Sequence, residues 1–123
     1  MEKEFVDYKI ALALKELGFD EPCLGLFDGT NNELHISSKP FQGNTSFHYL
    51  APLYQQAFRW FREKYELESV TQRAEDFMWY KWIIHRYNEN GKKYVADWDE
   101  YKTYEEAELE CLKKLIQIVK ESI

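Results

Sequence analysis

The sequence predicts an α+β fold in which three helices pack on an antiparallel sheet of four or five strands, in the order helix, hairpin, helix, strands, helix. Three observations carry this. A long amphipathic stretch, LAPLYQQAFRWFREKY, occupies residues 50–65. Strand-like segments lie on both sides of it, the strongest being FMWYKWIIHRY at 77–87. A well-capped apolar stripe closes the chain after Thr103. The 123 residues fit one domain, 1–123, and a hydrophobic fraction of 45% with 17% aromatic residues can supply its core.

Residues 3–17 predict the first helix. Val6, Ile10, Ala13, Leu14 and Leu17 form an apolar stripe, widened by Phe5, Tyr8 and Leu12. Glu2, Glu4 and Asp7 suit its positive N-terminal end, and Gly18 suits a left-handed C-terminal cap. Pro22 to Phe27 reads as a strand with Leu24 and Leu26 on one face. Asp28-Gly29-Thr30-Asn31-Asn32 is turn chemistry, and Leu34 and Ile36 alternate in a return strand, so the two make a hairpin. Lys39 to Ser46 reads as a loop.

The central helix follows. Pro52 suits its first turn, and Leu50, Leu53, Tyr54, Ala57, Phe58, Phe61 and Tyr65 make its apolar face. Leu67 to Arg73, with Val70 and Thr71, is strand-like. Phe77 to Tyr87 is dense in aromatic and β-branched residues, Asn90-Gly91 is a hairpin turn signal, and Lys93 to Trp98 is the partner strand. Thr103 with Glu106 makes a capping box for the last helix. Its buried side is Ala107, Cys111, Leu112, Leu115, Ile116, Ile118 and Val119.

Three of these runs carry a resemblance. EPCLGLFDG, APLYQQAFRWFREKY and YKTYEEAELECLKKLIQIVK resemble a family of small uncharacterised proteins encoded by phages, prophages and related mobile elements of gut anaerobic bacteria. The resemblance covers most of the chain and is thinnest over 37–48 and 66–76. It implies a genomic setting; the family brings no activity and no functional residues.

Composition narrows the chemistry. A net charge of −6 and a pI near 5.1 argue against a nonspecific polyanion binder. Cys23 and Cys111 are too few for a disulfide scaffold and read as buried reduced thiols. The charged MEKEFVDYKI start does not suit a signal peptide, and no apolar run reaches membrane-spanning length. A cytoplasmic protein is expected. His35, His48 and His85 show no metal-ligand spacing, and no Cys-x-x-Cys, phosphate loop, serine elbow or dinucleotide fingerprint occurs. Asp28 to Glu33 lacks the alternating acids of a calcium loop, and Asp97, Asp99 and Glu100 read as a solvated strand end. No catalytic residue, metal site or cofactor is predicted, and the chain does not read as an enzyme.

The 77–98 hairpin is the feature that suggests function. With Asn90-Gly91 at the turn, Tyr87 faces Tyr94, His85 faces Ala96 and Ile83 faces Trp98. One face then carries Phe77, Trp79, Lys81, Ile83, His85, Tyr87, Tyr94 and Trp98. The other carries Met78, Tyr80, Trp82, Ile84, Arg86 and Val95; it has no charge from Met78 to Ile84 and is assigned to the core. The candidate binding residues are therefore Trp79, Lys81, His85, Tyr87, Tyr94 and Trp98. Such a face can anchor a protein interface, and it can stack nucleobases. It can also be ordinary packing. The leading expectation is an interaction module that binds a host or phage protein or a second copy of itself. The alternative, a single-stranded nucleic-acid binder, is disfavoured by the acidic charge.

Overall fold

A computed structural model describes residues 2–76, 78–88, 91–96 and 99–122, with backbone alone described at 2, 87–88 and 91–96. The fold is α+β, with three α-helices and two antiparallel sheets of three strands each. The single sheet of four or five strands is thus corrected to two smaller ones. The chain divides into two compact units, Met1–Ala57 and Phe58–Ile123.

In the first unit, the expected helix over 3–17 is shorter. A 3-10 turn at Glu2–Glu4 precedes Phe5, which forms a β-bridge with Leu53. Helix α1 spans Tyr8–Glu16. Asp7 is its N-cap, and its Oδ1 accepts the Ile10 N–H at 2.9 Å. Gly18 takes the left-handed conformation with φ 94°. There the Phe19 N–H donates to the Leu14 carbonyl at 2.9 Å and the Gly18 N–H to that of Lys15 at 3.0 Å, a Schellman closure over the buried pair Leu14 and Phe19.

Strands β1 (Cys23–Asp28), β2 (Leu34–Phe41) and β3 (His48–Ala51) pair in the order β2-β1-β3. The hairpin is present, but β2 runs on through Lys39 and Pro40, which the sequence assigns to a loop. Its register breaks: Gly25 pairs with Ile36, and Cys23 with Phe41. Leu24 and Leu26 share one face of β1, half-buried, and Cys23, Gly25 and Phe27 make the buried one. Tyr8 of α1 meets Phe27 and Tyr49 on this face, edge-on at 6.0 and 5.6 Å. β3 replaces the expected start of the central helix. Leu50 pairs with Leu26, and the Pro52 carbonyl accepts the Val6 N–H at 3.0 Å. Asn44 holds the approach to β3: its side chain donates to the Phe19 carbonyl at 2.7 Å and accepts the Leu50 N–H at 2.9 Å.

Helix α2, Tyr54–Tyr65, crosses the division between the units. Its first helical bond runs from the Ala57 N–H to the Leu53 carbonyl at 3.0 Å, so Pro52 lies just outside it. Trp60, absent from the expected apolar face, is buried beside Phe61, with ring centroids 5.1 Å apart. Glu66 ends the helix with φ 55°, a left-handed residue without the freedom of glycine.

In the second unit, β4 (Leu67–Arg73), β5 (Tyr80–Asn88) and β6 (Gly91–Ala96) form a meander ordered β4-β5-β6. Helix α3, Tyr104–Ser122, packs against β4 and β5. The Thr103 hydroxyl accepts the Glu106 N–H at 3.1 Å, the expected cap. Ala107, Cys111, Leu112, Leu115, Ile116 and Val119 are buried as predicted, whereas Ile118 is only half-buried and Glu108 is buried in its place.

Candidate functional site

Alternation along β5 sets up the site. Trp82 and Ile84 are buried, at 4% and 0% exposure. Lys81, Ile83 and His85, which point the other way, are half-buried. The core side of the hairpin is therefore the one without charge. Met78 is a correction: expected in the core, it is 72% exposed and precedes the strand.

The register also differs from the expected one. Ile83 pairs with Ala96, His85 with Tyr94, Tyr87 with Lys92 and Asn88 with Gly91. Gly91 thus belongs to the strand, and the centre of the ladder falls between residues 89 and 90. Asn90 itself lies outside the described residues. A slip of two residues keeps every side chain on its face, so the facial assignment survives the wrong register.

Of the six candidate residues, Lys81 and His85 share the outer face of β5. Trp79 is half-buried in the connection before β5, and its carbonyl accepts the Ala74 N–H at 2.7 Å. Tyr94 lies opposite His85 in the register and Tyr87 two residues along, but their side chains lie outside the described residues, as does Trp98. Strand β4 adds residues that sequence reasoning overlooked: Glu68 opposite His85, Val70 opposite Ile83 and Gln72 opposite Lys81. The signal was the period-two pattern of LESVTQR, which has too little hydrophobicity to mark a face. Lys81 Nζ lies 3.7 Å from Oε1 of the fully solvated Glu75, a contact of small energetic weight. His85 Nδ1 is screened from solvent.

The inner side holds an aromatic cluster near the start of α3. The Arg73 guanidinium lies 5.0 Å over the Tyr80 ring, which meets Tyr104 edge-on at 5.9 Å. Tyr80 and Tyr101 exchange backbone hydrogen bonds at 2.8 and 2.9 Å. Burial, and then the charge of Glu105, hold the Glu108 carboxyl above its ordinary range. Burial is also the main force that pushes the Cys111 thiol up to about 12, against a hydrogen bond with Ser69. The Cys23 thiol is likewise pushed up to about 12 by burial and by Glu21. Both cysteines are free and buried, and neither is poised as a nucleophile.

The first unit brings together residues that are distant in sequence. Asp28 pairs with His48, and His35 pairs with Leu26, so the three polar residues share one face of β2-β1-β3. Asp28 Oδ1 accepts from the Thr30 hydroxyl at 2.7 Å and the Thr30 N–H at 2.9 Å. These bonds hold the carboxyl below its usual range, with smaller contributions from His48 and His35. Asn31 Oδ1 accepts the Glu33 N–H at 3.0 Å, which completes a turn stabilised by its own side chains. Among the described residues, no group of three His, Cys, Asp or Glu side chains is arranged to hold a metal ion. Asp99 and Glu100 are exposed, while Asp97 lies outside the described residues. No described helix is long and apolar enough to cross a membrane. Comparison of the chain with protein-family models, curated proteins and solved structures finds no match.

Proposed function

We infer that the chain is a cytoplasmic protein-interaction module of a phage or related mobile element, and that it binds a host or phage protein through the outer face of β4-β5-β6. One observation carries this. The sheet has its buried side chains, Trp82 and Ile84, on the face that meets α3, and leaves a mixed face of Val70, Ile83, Lys81 and His85 on the other. Val70 is 40% exposed. Docking a partner there would take the half-exposed apolar surface of Val70 and Ile83 out of water, with the polar Lys81 and His85 beside it. The genomic setting rests on the sequence resemblance alone. The nucleic-acid reading has less support: the net charge is −6, Lys81 sits beside Glu75, and Glu68 stands on the same face.

Affinity capture from host lysate, with and without nuclease, tests the reading. The wild type and Lys120→Glu, an exposed position on α3, the helix that packs on the opposite face of the sheet, are expected to retain the same protein after nuclease treatment. Ile83→Asp is expected to lose it with its far-UV circular dichroism unchanged. Equal capture by Ile83→Asp removes the outer face from the interface. Loss of the captured material on nuclease treatment favours the nucleic-acid reading instead.

A further inference from the structure

The open edge of β4 goes beyond the proposed face and stands without it. Two three-stranded sheets have four edges, and natural proteins guard such edges with proline, lysine, bulges or short strands. Three of the four are guarded. β2 carries Lys39, Pro40 and a broken register. β3 has four residues, and the chain at Phe5 and Val6 bonds Leu53 and Pro52 beside it. β6 carries Lys92 and Lys93. β4 is the least guarded: its only charges are Glu68 and Arg73, near its two ends. It is seven residues long, pairs with β5 in unbroken register from Leu67 to Arg73, and contains no proline, glycine or lysine. Among the described residues no strand lies beyond it.

The edge also matches itself. On the outer face, Ala96, Ile83 and Val70 occupy one row across the three strands. That row ends on Val70, exposed at the rim. An antiparallel two-fold centred on Val70 places Val70 against Val70 and continues the row through the partner's Ile83. The same register sets Glu68 opposite Gln72 and Ser69 opposite Thr71. No like charges meet. Beyond Gln72 the outer row leads to Lys81, so each Glu68 approaches a cation across the seam. Pairing by an odd offset would turn outer residues against inner ones, and centring on Ser69 or Thr71 would leave Val70 opposite Glu68 or Gln72.

We propose that β4 pairs antiparallel with β4 of a second copy of the chain, joining two three-stranded sheets into one of six strands about a two-fold axis at Val70. Backbone hydrogen bonds along the edge supply the attachment, and the exposed Val70 at the axis fixes the register.

Two measurements test this. Light scattering coupled to gel filtration, at high micromolar concentration, is expected to give twice the 14.9 kDa chain mass for the wild type. V70K, which opposes two ammonium groups at the axis, is expected to give the single-chain mass with unchanged circular dichroism. Mild oxidation reads the register, because directly opposed residues hold their Cβ atoms roughly 4.5–5.5 Å apart. V70C is expected to form a covalent dimer. E68C and Q72C are each expected to stay uncrosslinked alone and to crosslink when mixed. The native thiols are buried and will not compete. A wild type of single-chain mass overturns the proposal, and so does self-crosslinking of Q72C without V70C.

Discussion

Trp82 offers the sharpest test of how the second unit is packed. Its side chain is 4% exposed on the inner face of β5, yet its indole Nε1–H is buried with no hydrogen-bond partner among the described residues. Two terms of opposite sign therefore meet in one residue. Deleting a large buried aromatic costs about 3–5 kcal/mol, through lost transfer energy and the cavity left behind. A buried unsatisfied donor carries a penalty of about 1–3 kcal/mol, which its removal returns. Trp82→Ala removes both ring and donor, and the cavity dominates. A net loss of about 2 kcal/mol follows from the middle of the two ranges. Trp82→Phe keeps most of the ring and removes the donor. Its smaller cavity costs about 1–2 kcal/mol, which the relieved penalty offsets, so the variant should lie within about 1 kcal/mol of wild type. Urea denaturation followed by far-UV circular dichroism measures both. With a slope of about 1–3 kcal/mol/M, Trp82→Ala should lower the midpoint by roughly 0.7–2 M, and Trp82→Phe should shift it by about half that or less. If Trp82→Phe costs as much as Trp82→Ala, the indole N–H contributes a bond in solution and the reasoning fails. If Trp82→Ala is benign, β5 does not bury this face.

Other perturbations follow from single contacts. Thr103→Ala removes the oxygen that accepts the Glu106 N–H and should cost on the order of 1 kcal/mol in a urea melt, with no change of midpoint if the cap is idle. Gly25→Ala places a Cβ 2.7 Å from Phe5 Cδ1 and 2.8 Å from the Ala51 carbonyl oxygen, so β1 and β3 must part. An overpacking loss of about 1–3 kcal/mol or more is expected, and a wild-type melting temperature would contradict that crowding. Glu108 has a raised folded-state pKa, so its contribution is fully present below the unfolded value of about 4.3 and is lost as pH rises through the folded value. Glu108→Gln should flatten this part of the stability-versus-pH curve and melt above wild type at neutral pH; parallel curves for the two proteins would refute the assignment.

Local chemistry made much of this fold legible in the sequence. Gly18, Thr103 and the Asp28 turn close their elements with hydrogen bonds to neighbours within five residues, so the residue types alone announce them. The buried side of β5 was legible for a similar reason. A charge excluded from every second position from Met78 to Ile84 marks the face that loses water. The outer candidates were legible only as the complement of that face. Their partners Glu68, Val70 and Gln72 come from a strand whose own pattern is too polar to declare a side.

What tertiary structure decided is pairing. Leu50 fits helical spacing with Leu53 and Ala57 as well as it fits a strand, and the choice went to β3 because β1 offers Leu26 and the rest of its edge to pair with. Alternation identified strands but could not say that they divide into two sheets, since a strand's period is the same whichever neighbour completes its hydrogen bonds. The meeting of Asp28 with His48, and the Val6 N–H on the Pro52 carbonyl, join residues tens of positions apart. Side-chain period and capping are properties of a segment and are written in it. Partner choice depends on which non-local surfaces can be desolvated together, and only the assembled chain fixes that.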